Sequence, residues 1–173
     1  ETPMLEKFYH DFDHLIVLDV ETTGLDPQKD EIIELGGICL RLSPNGPEPA
    51  DELNMLIRLS EGRSLTPFIT GLTGISSELL AHQGLEKSAA GQRLAKLLDV
   101  SRPLVVAYNA QFDLCFLYYF LRRLDKSPLL QGIRMLDALT IYRDRRDYPH
   151  KLKDAIAAYG LSAENTHRAI DDA

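Results

Sequence analysis

The run Leu15-Ile16-Val17-Leu18-Asp19-Val20-Glu21-Thr22-Thr23-Gly24-Leu25 decides how the rest of the chain is read. Four apolar residues followed by acids and a Thr-Thr-Gly turn describe a buried strand that carries two carboxylates to its carboxyl end. Side chains alternate along a strand, so Asp19 and Glu21 share one face while Val20 points back into the core. Two carboxylates on one face at a strand end suit a cation. A strand running into an ordinary polar loop would place acids there as well.

Upstream, residues 1–13 form a polar lead-in, and the strand occupies about His14 to Val20. Downstream, Leu25 to Asp30 has turn composition. Glu31 to Arg41 is expected to be a second strand, its Gly36-Gly37 pair marking a bulge or the close approach of another backbone. Ser43 to Pro49, with three prolines and a glycine, is expected to be a loop before a third strand at Leu53 to Leu59. Short loops between three strands imply an antiparallel meander.

From Thr66 the pattern turns helical. Thr66-Pro67 sets a cap and a proline at a helix start, Gly71 to Ser76 is a turn, and a short helix follows at Ser77 to Ala81. Residues 86–99 place Ala90, Leu94, Leu97 and Leu98 at helical spacing. Pro103 to Ala107 is expected to be a fourth strand. The helix after it, at about Gln111 to Leu124, has a packing stripe of Phe112, Phe116, Leu117 and Phe120. Ile133 to Leu136 is expected to be a fifth strand, with Asp137 capping the next helix rather than binding a ligand. A helix at Lys151 to Tyr159 would stop at Gly160, and Asn165 to Ala173 begins a last one. Strands gathered first and then alternating with helices indicate an α/β fold, a mixed sheet flanked by helices.

The 173 residues suit one globular domain, and 45% hydrophobic with 26% charged residues is ordinary for a protein in water. No apolar run is long enough for a membrane span and no leader is evident. Cys39 and Cys115 lack metal-ligand spacing and are expected to be buried free thiols, which favours a reducing, cytoplasmic setting. The sequence opens at Glu1 and its last helix has no room to continue, so both boundaries are treated as open to trimming, localisation signals included. A net charge of −7 disfavours coating of duplex nucleic acid by bulk electrostatics. The balance is uneven: residues 1–100 hold 8 Lys and Arg against 17 Asp and Glu, and residues 101–173 hold 11 against 9. A polyanionic ligand would be met by metal ions or by local positive charge in the second part. There Arg143, Arg145, Arg146, Lys151 and Lys153 form either a solvated face or a guide for a phosphate backbone.

Three separated segments place acids at strand ends or helix starts. They are Asp19 with Glu21, Asp113 within Asn109-Ala110-Gln111-Phe112-Asp113, and Asp172 preceded by His167. The runs 19–24 (Asp-Val-Glu-Thr-Thr-Gly), 107–113 (Ala-Tyr-Asn-Ala-Gln-Phe-Asp) and 167–172 (His-Arg-Ala-Ile-Asp-Asp) resemble the three motifs of DnaQ-like (DEDDh) 3′ to 5′ exonucleases. That family includes the proofreading epsilon subunit of bacterial DNA polymerase III. The resemblance extends from His14 to Ala173 and takes in the turn Leu72 to Ile75.

The resemblance implies a ribonuclease H-like fold with a five-stranded mixed sheet. It also implies that Asp19, Glu21, Asp113 and Asp172 bind two Mg²⁺ or Mn²⁺ ions and that His167 is the general base. Arg168 stands where a sister subfamily has a tyrosine, so the histidine version fits. Asp171 competes with Asp172, which the family spacing selects. Tyr108 departs from the histidine common before the asparagine, which touches only local contacts. Thr22, Thr23, Gly24 and Leu25 would receive the terminal nucleotide, backbone amides near the 3′ hydroxyl and Leu25 against the last base. Asn109 would either join them or organise the turn before Asp113.

The implied chemistry is consistent with the residue types. Like-charged carboxylates about 4 Å apart repel by roughly 4 kcal/mol at an effective dielectric of 20. Two hard divalent cations would offset four such charges. In a two-metal site, ions about 3.5 to 4 Å apart flank the scissile phosphate, one acidifying the attacking water and one stabilising the leaving oxygen. A neutral His167, with an ordinary pKa of about 6.5, would take the water's proton. Residues five apart on a helix diverge by roughly 140°, so His167 must lie at or before the helix start, on a segment that can close over substrate, with Asn165 and Thr166 as caps.

The expected substrate is nucleic acid with a free 3′ end, single-stranded DNA favoured, in replication or repair, with a DNA polymerase subunit as a partner and no membrane. An exoribonuclease of the same fold and a catalytically silent nucleic-acid-binding module are the alternatives.

Overall fold

A computed structural model describes residues 9–138. Five strands form one mixed sheet: β1 (His14–Thr22), β2 (Ile32–Ser43), β3 (Gly46–Leu56), β4 (Pro103–Ala107) and β5 (Arg134–Asp137), in the order β3-β2-β1-β4-β5. The first three make the expected antiparallel meander, and β4 and β5 join in parallel. Between the strands of the described residues lie the helices α1 (Pro67–Thr73), α2 (Ser77–Gln83), α3 (Lys87–Leu98) and α4 (Ala110–Arg123), with a 3-10 turn at Ser127–Leu130. This is the five-stranded mixed sheet with helices that the resemblance implies.

One face of β1 carries Ile16, Leu18 and Val20, all buried, and continues onto Leu35 and Cys39 of β2 and Leu53 and Met55 of β3. Ala90, Leu94, Leu97 and Leu98 of α3 and Phe116, Leu117, Phe120 and Leu121 of α4 complete that core. Gly37 is needed here for contact rather than conformation. A Cβ on it would lie 2.8 Å from Cδ2 of both Leu18 and Leu97. The close approach expected at the glycine pair is therefore made by core side chains rather than by another backbone.

The bulge lies elsewhere. Glu21 pairs with Glu34 but Thr22 pairs with Ile32, which leaves Ile33 as an extra residue on β2. Ile33 is fully buried in a second cluster with Ile69, Ile75 and Leu80, and Ile32 returns to the main core. The bulge thereby seats α1 and α2 beside the carboxyl end of β1.

The third strand begins seven residues earlier than expected. Ser43 to Pro49 is a tight hairpin that leads straight into β3, with Pro47 and Pro49 inside the strand. An edge strand tolerates prolines because its outer N–H groups have no ladder to complete, and Ala50 is bulged out beside them. The strand also ends earlier, at Leu56. Beyond it Ile57 makes one parallel bridge to Leu85, and Arg58 donates its N–H to the Leu85 carbonyl.

The helix ends follow the caps. Thr66 Oγ1 accepts from the Ile69 N–H, Pro67 sits in the first turn, and Gly74 closes α1 at φ 73°. Ser76 caps α2, which runs two residues past the expected Ala81 and stops at Gly84. A Cβ on Gly84 would fall 2.3 Å from the Leu80 carbonyl oxygen and 2.8 Å from the Arg58 nitrogen, both unyielding backbone atoms. Gly84→Ala is expected to destabilise the protein by about 1 to 3 kcal/mol through this overpacking, read as a lower urea midpoint with an unchanged m-value.

Cys39 and Cys115 are both free thiols, Cys39 buried and Cys115 half-exposed rather than buried. Among the described residues no helix is long and apolar enough to cross a membrane.

Candidate active site

The face of β1 opposite α3 and α4 carries Leu15, Val17, Asp19 and Glu21, all half-buried. Asp19 and Glu21 therefore share a side, as the alternation required. Register adds a third acid that the sequence reading passed over. Glu34 lies directly across from Glu21 on β2 and is fully buried. Its neighbour Gly36 stands opposite Asp19. Only the strand pairing could have found Glu34, because its own strand offers no motif.

Asp113 enters from α4. The helix starts at the carboxyl end of β4, the neighbour of β1, and Asp113 lies in its first turn, 3% exposed. Burial is the main influence on its carboxyl and drives the pKa up to about 7 from an ordinary 3.8. Hydrogen bonds from the backbone of Val20, of Asn109 and of Asp113 itself pull the other way, and nearby Asp137 adds a small upward push. The Val20 contact fixes the geometry. Val20 stands between Asp19 and Glu21, so the carboxyl of Asp113 is docked on the same stretch of β1 that carries both acids.

Asp137 is the last residue of β5, opposite Ala107 at the end of β4. It directly precedes the helix that opens at residue 138, as expected of a cap, and it is also close enough to act on Asp113. Its position at a strand end beside β4 was the available signal. Among the described residues, no three His, Cys, Asp or Glu side chains converge closely enough to form a ready metal cluster. His167 and Asp172 lie outside the described residues, as do Asp171, Arg168 and the basic residues between Arg143 and Lys153.

The Thr-Thr-Gly turn is tightly built. Thr22 Oγ1 donates to the Gly24 carbonyl at 2.6 Å. Thr23 Oγ1 donates to Asp30 Oδ1 at 3.1 Å and accepts from the Glu31 N–H at 3.0 Å. Asp30 presses so closely on Gly24 that a Cβ there would sit 2.4 Å from its Oδ2. Leu25 emerges from this turn 85% exposed, the most exposed large apolar side chain described. An apolar residue held in water by a rigid turn is available to a ligand.

Behind the turn, Glu31 is buried and anchored. Lys87 Nζ approaches it at 2.9 Å, Arg63 Nη1 at 3.3 Å, and Ser60 donates through its Oγ at 2.6 Å. Burial raises the Glu31 pKa, but the Ser60 and Lys87 hydrogen bonds outweigh it and leave the group below its ordinary value. Asn109 caps α4 through its backbone. Its carbonyl accepts the Asp113 N–H, while its exposed side chain makes no capping bond and lines a cleft of about 310 Å³ with Phe112 and Pro27. Of the two roles expected for Asn109, the backbone plays the organising one and leaves the side chain open to a ligand.

A family model described as an RNase T exonuclease matches residues 16–173. A PolC-type DNA polymerase III from Thermotoga maritima is 33% identical over 162 residues, covering 91% of this chain and 11% of the relative. A 3′-5′ exonuclease DinG from Staphylococcus aureus is 28% identical over 159 residues, covering 91% of this chain and 16% of its own. The chain thus spans between a tenth and a sixth of the length of these relatives. Among solved structures, one of exonuclease I superposes with a TM-score of 0.81 at 19% identity, covering 92% of this chain and 38% of that one. Exonuclease I of E. coli in complex with a dT13 oligonucleotide gives a TM-score of 0.78 at 18% identity, with the same coverage.

Proposed function

The chain belongs to the RNase T exonuclease family, DnaQ-like 3′ to 5′ exonucleases that are hydrolases, and on that premise we propose that it removes nucleoside 5′-monophosphates from the 3′ ends of single-stranded DNA as one exonuclease domain. The observation that carries this reading is the docking of the Asp113 carboxyl on the backbone of Val20, between Asp19 and Glu21.

The donors suit hard divalent cations. Carboxylate oxygens from Asp19, Glu21 and Asp113, with Asp172 supplied by the third motif, are the ligand type that Mg²⁺ or Mn²⁺ prefers. Asp113 is a carboxyl whose charged form is disfavoured by burial, so a bound cation would restore that form. Two such ions would supply electrostatic stabilisation of the phosphate and a lowered pKa for water.

The protein's own groups do the rest. The Thr22-Thr23-Gly24 turn receives the 3′ end, Leu25 lies against the last base, and the Asn109 side chain contacts the strand from α4. His167 accepts the proton of the attacking water. Single-stranded DNA is favoured over RNA by similarity to an exonuclease I solved with a deoxythymidine oligomer. A polymerase partner is favoured by similarity to a segment of a PolC-type polymerase.

The test is degradation of 5′-labelled single-stranded DNA and RNA in Mg²⁺ or Mn²⁺. DNA is expected to give a ladder shortening from the 3′ end, abolished by chelator and slowed about 10³-fold or more by Asp19→Ala, since a ligating carboxylate supports several kcal/mol of transition-state stabilisation. Faster loss of RNA would replace the substrate with RNA. Intact DNA and RNA would leave a silent binding module.

A further inference from the structure

The turn from Gly24 to Asp30 is fastened at two places, and only one of them belongs to the site already described. Its base is held by Asp30, which takes the Thr23 hydroxyl and the Asp26 N–H at 2.9 Å. Its tip extends over the surface of α4. There Arg123 Nη2 donates to the Gln28 carbonyl at 2.7 Å and to the Pro27 carbonyl at 3.4 Å. Gln28 Nε2 in turn donates to the Tyr119 hydroxyl at 3.1 Å. Tyr119 and Arg123 are four residues apart and so lie on one face of α4. Pro27 also borders the cleft against Phe112, Cys115 and Phe116 of the same helix.

We propose that Arg123 and Tyr119 are positioning residues for the 3′-terminal nucleotide, clasping the tip of the Leu25 turn onto the helix that carries Asp113. This rests on the function proposed above. Asp113 and Arg123 are ten residues apart, about 15 Å along a helix rising 1.5 Å per residue, so the clasp is remote from the reacting phosphate. One helix thereby fixes both the carboxyl at the reaction centre and the turn that presents Leu25. Asp26, Gln28 and Lys29 are exposed and add nothing to the core. With the clasp open, the Asp30 anchor still closes the turn, but Leu25 loses its fixed distance from Asp113. Asp19, Glu21 and Asp113 keep their places, because the sheet and the α4 core set them.

Loss of the clasp should therefore weaken terminal-nucleotide binding and spare the chemical step. With single-stranded DNA as substrate, Arg123→Ala is expected to raise KM about fivefold, within the range of one or two exposed hydrogen bonds, and to leave kcat within about twofold. Arg123→Lys keeps a donor for the Gln28 carbonyl and should recover most of the loss, and Tyr119→Phe should fall between it and the wild type. Amide exchange at residues 26–30 should accelerate in Arg123→Ala without a matching change in the core of α4.

Unchanged KM together with unchanged exchange would overturn the clasp, as would an equal fall in kcat with no recovery by lysine. Should the wild-type protein cut no 3′ end, the reading as a nuclease fails separately. Exchange then decides the clasp alone, with unchanged rates at residues 26–30 overturning it.

Discussion

Asp113→Asn is expected to melt higher than the wild-type protein at pH 7 in the presence of chelator, and to have lost its nuclease activity. The side chain is buried and its carboxyl is shifted up to about 7, burial being the first cause. In the unfolded chain the same group titrates near its ordinary 3.8. The folded state therefore binds the extra proton between those values, and wild-type stability declines as pH rises through that window. Moving a carboxyl from 3.8 to about 7 corresponds to at most about 4 kcal/mol. Asparagine is neutral throughout and can still accept the Val20 N–H, so the variant avoids this loss. Melting curves at pH 4 and pH 7 check it: the two proteins should coincide at the lower pH and separate at the higher. Added Mg²⁺ should raise the wild-type curve and not the variant's, by the linkage of binding to stability. A variant that melts lower at both pH values would show that the carboxylate is tolerated there and that the burial argument is wrong.

His167→Ala is expected to slow single-turnover cleavage by about 10² to 10⁴, the usual contribution of a positioned general base. The wild-type rate at saturating metal should climb with pH until the imidazole is neutral, around its ordinary value of about 6.5, and then level off. The variant should lack that rising limb. An alanine variant that keeps both the rate and the limb would remove His167 from the reaction.

The core of the fold was legible where one residue type answers to one physical demand. The apolar run Leu15 to Leu18 passes into Asp19 and Glu21 on either side of Val20, and Phe116, Leu117 and Phe120 recur at helical spacing, so β1 and α4 could be placed from pattern alone. The start of β3 could not, because Pro47 and Pro49 signal a loop unless the strand is known to lie at an edge. Strand order also stayed hidden, since it is fixed by pairings between distant segments. The same applies to the site. Asp19, Glu21 and Asp113 announce themselves through motifs, and the structure brings Asp113 to Val20. Glu34 and Asp137 join them only through register and strand adjacency, and Gln28 with Arg123 only through a contact across 95 residues of sequence. His167 and Asp172 rest on the sequence.

The extra residue at Ile33 makes the stretch beside β1 intolerant of small insertions and deletions. Loss of one codon there would close the bulge, leaving a single isoleucine opposite Thr22 and taking from the second cluster the side chain that Ile33 supplies. A hydrophobic composition almost identical to the original would then encode a chain with its second cluster unseated. Sequence drift in this segment should proceed by replacement, with changes of length confined to the hairpin at the far end of β2.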